Sequence, residues 1–389
     1  MESTHIAIIG AGLSGLYAAH LLEQSGIKDY RIFEARDLPG GRISSASVDA
    51  LDATNIGNFV DSSNRFDLGP TWYWPSLQPQ LHKVIQDLGL QTFEQFETGD
   101  MMIERSPHVF PSRIPGYVNA PTSTRLLGGM SVLIDALQKR VSSARIVTNH
   151  TVRQLSICDQ GTQLTCENFI GQTIQCQANH VLLALPPRLV EQTIQFTPAL
   201  PDSLRRSWRD TPTWMAPHAK YLAIYEKPFW RDNGLSGAAR SAHGPLVEIH
   251  DASMPNGQAA LFGFLGVPAH VRKDVPENVL RTHCRAQLAR LFGTDAATPL
   301  VDFIKDWSQD SFTATAADAT GPGHHTQAPT AAPHAGQWRG RITGIASEWS
   351  QQFPGYLAGA IEAASLGIEK LFESSINQDI IFKFPVEKK

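Results

Sequence analysis

Residues 5–15 read His-Ile-Ala-Ile-Ile-Gly-Ala-Gly-Leu-Ser-Gly, and nineteen residues past Gly15 stands Glu34, closing Tyr-Arg-Ile-Phe-Glu. These types at this spacing can bind a dinucleotide. Gly10 permits a tight turn after an apolar strand, Gly12 lets the backbone approach a pyrophosphate, and Gly15 lets a helix pack on the strand. The helix then begins with N–H groups aimed at the phosphates. A second strand, Arg31 to Phe33, delivers Glu34 to a pair of ribose hydroxyls. Far along the chain, Lys220 heads an apolar strand, Lys-Tyr-Leu-Ala-Ile-Tyr, followed by Glu226-Lys227-Pro228-Phe229-Trp230. On residue types alone Lys220 reads as a solvated strand end.

Glu34-Ala35-Arg36 continues to Gly40-Gly41-Arg42. Two adjacent glycines let a loop pass close to a flat cofactor, and the arginine offers charge-assisted hydrogen bonds. This stretch resembles the flavin amine oxidase superfamily. The resemblance implies FAD, with Glu34 on the adenosine ribose and the glycine pair beside the flavin. It extends to Lys220 and its Lys-Pro-Phe-Trp ending, which is similar to the monoamine oxidase strand whose lysine holds a water against the flavin's reactive nitrogen. It also covers Glu348 and Phe353-Pro354-Gly355-Tyr356-Leu357-Ala358-Gly359-Ala360. The register of acid, glycine, tyrosine, glycine and alanine implies that Glu348 contacts the cofactor and that Tyr356 forms one wall of an aromatic cage. A helix opening there would set its positive end near the anionic edge of the reduced ring.

Asp67-Leu68-Gly69-Pro70-Thr71-Trp72-Tyr73-Trp74 reads as a loop presenting aromatic rings to a cavity. Core packing is an equal alternative for Tyr73 and Trp74, and the resemblance places Trp72 at the flavin. It further implies that the backbone at Val152 reads the adenine edge and that Trp307 precedes a flavin-facing loop. In all, the implied cofactor contacts are Gly10, Gly12, Gly15, Glu34, Ala35, Arg36, Gly41, Arg42, Gly69, Pro70, Thr71, Val152, Trp307, Glu348, Tyr356 and Leu357. The implied catalytic residues are Lys220, Tyr356 and Trp72, with no metal. The pattern departs in two places. The position of the flavin-linking cysteine counts to Ala316, with Ala314, Thr315 and Ala317 around it, and no cysteine follows Cys284. Noncovalent FAD is therefore expected. The second cage tyrosine is replaced by Ala317, so the two-tyrosine cage is incomplete.

The elements that must position these residues follow from periodicity. Helices are expected over 77–89, from about Met130 to Val141, over Glu277 to Phe292, and opening within Phe353 to Glu362 and running to about Phe372. Strands are expected at Arg145 to Thr148, Thr151 to Leu155, Gln163 to Cys166, Thr173 to Cys176, His180 to Leu185, Lys220 to Glu226, Leu246 to Ile249 and Ala260 to Leu265. Arg341 to Glu348 reads as a strand running into an acid. Residues 100–124, with prolines at 107, 111, 115 and 121, read as irregular, and 311–340 as a long functional loop. The implied fold is α/β, a Rossmann-type FAD-binding domain (1–75, 125–200, 306–372) interleaved with an α+β substrate domain (76–124, 201–305). This is a monoamine oxidase/p-hydroxybenzoate hydroxylase-like architecture, followed by a tail over 373–389.

The chain has 389 residues, 42% hydrophobic and 18% charged, with a net charge of −4 and no run of like charges. That composition suits a globular protein with a large core and points to neither nucleic acid nor an anionic membrane. The apolar start lacks the basic flank of a signal peptide, and no run of ~18 apolar residues is present to span a bilayer. Cys158, Cys166, Cys176 and Cys284 lack metal spacing, and His324-His325 has no acid or cysteine at ligand distance. A reducing, cytoplasmic setting is expected.

The sequence thus reads as a soluble FAD-dependent oxidoreductase that oxidises a small amine's C–N bond to an imine by hydride transfer, with dioxygen or another acceptor restoring the cofactor. Two alternatives stand beside it. One is an FAD-dependent C–C desaturase or porphyrinogen-type oxidase. The other is a non-enzymatic binding protein resembling the GDP-dissociation inhibitors, against which the intact glycine loop, Glu34 and Glu348 argue.

Overall fold

The computed structural model describes residues 2–48, 64–320 and 327–376, so His324-His325 and the tail beyond 376 lie outside the described residues. The chain divides into two compact units that alternate along the sequence. Unit 1 comprises 1–41, 133–214 and 323–389; unit 2 comprises 42–132 and 215–322.

Unit 1 is built on an eight-stranded sheet. Its parallel part runs Ile342–Gly344, Thr173–Leu183, Glu2–Ile9, Tyr30–Phe33, Ile146–Val147. Its remainder is an antiparallel meander of His150–Cys158, Gly161–Asn168 and the same Thr173–Leu183, edged by Gln195–Thr197. The central Glu2–Ile9 strand is buried on both faces from Ile6 to Ile9, as a strand sandwiched between layers must be. The helices Leu13–Gln24 and Leu357–Ile376 pack against each other. Thr173 to Leu183 is one long strand, not the two segments expected from sequence. Gln177 and Ala178, in the gap between those segments, are paired on both sides, to Ser3 and Thr4 and to Gln163 and Thr162, and ladder hydrogen bonds there override composition. The expected strand from Arg341 ends at Gly344, and Glu348 sits in the following 3-10 turn, Ser347–Trp349. The helix Asp202–Asp210 packs Leu204 and Trp208 into the core of unit 1.

Unit 2 is built on a seven-stranded sheet ordered Val301–Asp306, Ala219–Tyr225, Ala259–Leu265, Leu246–Asp251, Leu235–Ser241, Asp100–Glu104, Ser112–Ile114. All its pairs are antiparallel except Leu235–Ser241 with Asp100–Glu104. Residues 100–124 are therefore not wholly irregular. Pro107 and Pro111 lie in the connection between Asp100–Glu104 and the edge strand Ser112–Ile114, and Pro115 follows the latter, so none of them costs a ladder hydrogen bond. Leu235–Ser241, which is poor in β-branched residues, escaped the sequence reading because sheet pairing, not propensity, makes it a strand. Helix Glu277–Phe292 occupies the range expected of it, and buries Leu280, Cys284, Leu288, Leu291 and Phe292 against one face of the sheet.

The Ala219–Tyr225 strand is buried along its whole length, and its alternation decides what each face carries. Tyr221, Ala223 and Tyr225 join the helix-side core. Leu222 and Ile224 join a second cluster with Phe262, Ala260 and Phe66, and Lys220 shares their parity.

Candidate functional site

In unit 1 the glycine turn is held from three sides. Gly10 has φ +103°, and a Cβ there would lie 2.8 Å from the Ala184 carbonyl. A Cβ on Gly15 would come within 2.0 Å of the Gly10 carbonyl, so the helix approaches the turn at a distance only glycine allows. Gly12 differs. Its backbone is extended, and an added Cβ would meet only Gly40 O and Gly41 Cα, both at 3.9 Å, in ordinary contact. The protein does not itself require glycine at position 12. The glycine pair lies directly alongside, with Gly40 N–H donating to Ala11 O at 2.9 Å and Gly41 at φ +60°.

Gly12 is also the N-cap of helix Leu13–Gln24, which has no side-chain cap and no acid in its first turn. Such an end suits an anion. Glu34, 3% exposed, accepts from Ala11 N–H at 2.7 Å through one carboxylate oxygen and from Arg36 N–H at 2.9 Å through the other. A carboxylate has about four acceptor sites, so both oxygens retain capacity for ribose hydroxyls. Glu34 N–H donates to Val147 O and Glu34 O accepts from His150 N–H, which fixes the acid between two crossings of the chain. Val152 is buried two residues further on, and the strand's register shifts between Val152 and Gln154. A bulge of this kind re-aims the backbone at a site edge. Ala35 and Arg36 follow Glu34 directly, and Asn149 N–H donates to Arg36 O. The open cap, the space at Gly12 and the buried acid fit a dinucleotide.

The second part of unit 1 centres on 344–359. Trp349 covers Gly344, where a Cβ would fall 2.3 Å from the indole. Glu348 is buried, and one of its oxygens accepts from the Ser347 hydroxyl at 3.1 Å. Gly359 lets the start of helix Leu357–Ile376 tuck beneath Phe353 O. Leu357 and Tyr356, at the head of that helix, are half-buried. The Tyr356 ring packs on Trp214, a residue the sequence reading passed over although it lies six positions before Lys220.

Unit 2 gathers Lys220, Gly69, Thr71 and Trp307. Lys220 is 2% exposed and is no solvated strand end. Its Nζ donates to Thr71 Oγ1 at 2.6 Å and to Gly69 O at 3.1 Å, and lies 4.0 Å from the centre of the Phe262 ring. Burial pushes its pKa down to about 7, against the attraction of Asp67. Asp67 is buried too, and burial raises its carboxyl above the usual range, opposed first by Lys220; it accepts from Met130 N–H and Ser45 Oγ. Arg125 is buried, donates to Ala252 O and Ser253 O, and adds a like charge to the Lys220 field. Neither Asp67 nor Arg125 was assigned a role from sequence; an acid two residues before the Gly-Pro turn was the signal for the first.

Trp307 Nε1 donates to Leu68 O, and Trp307 N–H to His218 O two residues before Lys220. A Cβ on Gly69 would strike Arg42 O at 2.1 Å, so Arg42, Gly69 and Pro70 form one tight crossing. Trp72 donates to Gln95 Oε1 at 2.7 Å, and its ring meets His250 and Phe262 at 4.9 and 5.3 Å. Tyr73 is wholly buried core, its hydroxyl against His82. Ala317 is exposed on the short helix Ala316–Thr320.

A fold with a glycine-turn dinucleotide half and a second unit burying a lysine defines a flavoenzyme class, and comparison with known proteins bears this out. Residues 94–366 match the family model for flavin containing amine oxidoreductase, and residues 8–88 match an NAD(P)-binding Rossmann-like domain. The chain belongs to the flavin-containing amine oxidoreductases, and FAD is its cofactor. It is 28% identical to a probable flavin-containing monoamine oxidase A of Dictyostelium discoideum, over 66% of this chain and 55% of that protein. It therefore spans about half the length of that relative. It is 23% identical to putrescine oxidase of Kocuria rosea, over 79% of this chain and 83% of that one. Among solved structures, putrescine oxidase bound to putrescine superposes with a TM-score of 0.73 at 19% identity, covering 95% of this chain and 99% of that one. Cyclohexylamine oxidase from Brevibacterium oxydans IH-35A gives 0.74 at 18%, covering 95% and 99%. These likenesses fix the fold. The desaturase and GDP-dissociation-inhibitor-like readings are not favoured by any of these matches. Among the described residues no helix is long and apolar enough to cross a membrane.

Proposed function

We propose that this chain oxidises a small primary or secondary amine to an imine with noncovalent FAD, dioxygen being the electron acceptor. FAD, when bound, supplies a two-electron acceptor for the hydride equivalent leaving the carbon that bears the nitrogen. Unit 1 serves as the FAD-binding domain. Its uncapped helix at Gly12 takes the pyrophosphate, Glu34 the ribose hydroxyls, the Val152 bulge the adenine edge, and Glu348 a further cofactor contact. Ala35, Arg36, Gly41, Arg42, Pro70 and Leu357 line the cofactor as the family resemblance implies. Tyr356 orients the amine.

Unit 2 serves the substrate and the reactive nitrogen. Lys220 carries this reading: a lysine hydrogen-bonded internally to Gly69 O and Thr71 Oγ1, wholly buried, and with its charge in balance near neutrality. A cation there stabilises negative charge that develops during electron transfer to dioxygen, in a site where water does not screen it. Trp72 walls the substrate side.

The test is anaerobic bleaching of the purified yellow protein against a panel of diamines, aromatic amines, cyclic amines and amino acids. Loss of the flavin absorbance with one class names the substrate. No bleaching with any amine, from protein with full FAD occupancy, overturns the reading.

A further inference from the structure

We propose that Thr71 is a positioning residue for Lys220: its side-chain hydroxyl, with the Gly69 carbonyl, fixes the direction of the lysine head and keeps it cationic inside an apolar enclosure. This rests on the proposed role of Lys220.

The geometry carries it. Thr71 and Lys220 are 5% and 2% exposed, and the contact between them is 2.6 Å. An ammonium has three N–H donors and no acceptor. Two are directed by Thr71 Oγ1 and Gly69 O, so the head has no torsional freedom and its remaining donor points one way. Both acceptors come from one short stretch of chain. Gly69 is locked in place by Arg42 O and by the Trp307 indole, which donates to Leu68 O. Thr71 is thus held at fixed distance from the lysine by a loop that cannot slide.

A buried cation with two well-made acceptors keeps its proton where an unpaired one would shed it. Two other charged groups act on Lys220, the acid more strongly than the guanidinium. Asp67 favours the charge and Arg125 opposes it. On the neighbouring strand Lys305 pairs with Lys220 in register, but its own head is taken by Asp310. On the other side Phe264 is the register partner, and the Phe262 ring lies under the ammonium. With burial already lowering the lysine to about 7, loss of one hydroxyl acceptor tips it toward the neutral amine.

The experiment follows the Lys220 side chain in holoenzyme labelled with ε-13C lysine, the signal identified by its loss in Lys220→Met. Thr71→Val removes the hydroxyl at constant shape, and Thr71→Ser keeps it. A hydrogen bond to a charged group is worth enough to move a titration by about one pH unit. The midpoint is expected to fall by that amount in Thr71→Val and to stay near the wild-type value in Thr71→Ser. Flavin reoxidation at pH 7 is expected to slow about fivefold in Thr71→Val, the ratio of protonated fractions for a one-unit fall from a midpoint near 7.

An unchanged midpoint in Thr71→Val, or an equal fall in both variants, overturns the proposal, the second outcome pointing to packing. If the midpoint falls as expected while reoxidation does not change, the role of Thr71 in holding the charge stands and it is the proposed role of Lys220 at the flavin that fails. Should Thr71→Val not fold, Thr71→Ala read against Thr71→Ser decides the matter in the same way.

Discussion

The rings of Tyr356 and Trp214 lie 4.6 Å apart, centre to centre, inclined at 49°. Gly355 makes this contact possible: it has φ +83°, and a Cβ there would sit 3.1 Å from Trp214. Sequence alone offers Ala317 for the second aromatic of the amine cage. The structure instead places an indole directly against the tyrosine that remains. With the rings in contact, Trp214 is a brace for Tyr356 rather than an opposing wall.

That relationship yields a prediction. Tyr356→Ala should slow flavin reduction by amine, with reoxidation unaffected. Trp214→Ala should slow the same half-reaction by about two- to twelvefold, since an aromatic pair contributes ~0.5–1.5 kcal/mol beyond burial. Trp214→Phe should recover most of that loss. Stopped-flow measurement of the two half-reactions checks it; an unaltered reduction rate in Trp214→Ala counts against the brace.

The glycine turn separates ligand requirements from fold requirements. Gly12→Ala leaves the backbone in an allowed region and its Cβ meets protein atoms no closer than 3.9 Å, so the apoprotein should keep its melting temperature while FAD occupancy drops sharply. Gly15→Val should lower the melting temperature of the apoprotein itself, because its Cβ would meet the Gly10 carbonyl. Thermal melts beside flavin absorbance distinguish the two. Equal melting losses would show that the space at Gly12 serves folding.

Glu34→Ala should weaken FAD binding and also loosen the apoprotein. It leaves the N–H groups of Ala11 and Arg36 without their carboxylate, and a buried donor left unpaired costs ~1–3 kcal/mol. Glu34→Gln keeps one oxygen acceptor and should restore part of the stability but little of the affinity. Titration of apoprotein with FAD and denaturant melts check both limbs.

Burial lowers Lys220 to about 7 from 10.5. Below that value it is cationic, above it neutral. If the cation assists reoxidation, the rate with dioxygen should fall as pH rises from 6 to 8, and the dependence should vanish in Lys220→Met with FAD still bound. A flat wild-type profile over this range would remove Lys220 from that step.

With no cysteine after Cys284, acid precipitation should release all the flavin to the supernatant. Yellow colour held in the pellet would show a covalent link from another residue.

The dinucleotide half was legible because its chemistry is local. Gly10, Gly12, Gly15 and Glu34 fall within thirty residues, and each glycine answers to a single steric fact. Lys220 was legible only through resemblance: a lysine at a strand end says nothing by itself about the Thr71 hydroxyl, 149 positions away. Trp214 was missed for the same reason. Its contact depends on the left-handed backbone of Gly355, and no period in the sequence signals a partner 142 residues on. The strand Leu235–Ser241 escaped because its neighbours in the sheet, not its own residues, make it a strand.

The alternation along Ala219–Tyr225 has a consequence for how this protein can change. Odd positions anchor the strand to the Glu277–Phe292 helix, and even ones look the other way. A slip of one residue would drive the lysine into the helix core and turn a tyrosine toward Thr71. The depth of the ammonium is therefore set by tyrosines that never meet a substrate. A lost ring at Tyr221 or Tyr225 would displace the charge from behind.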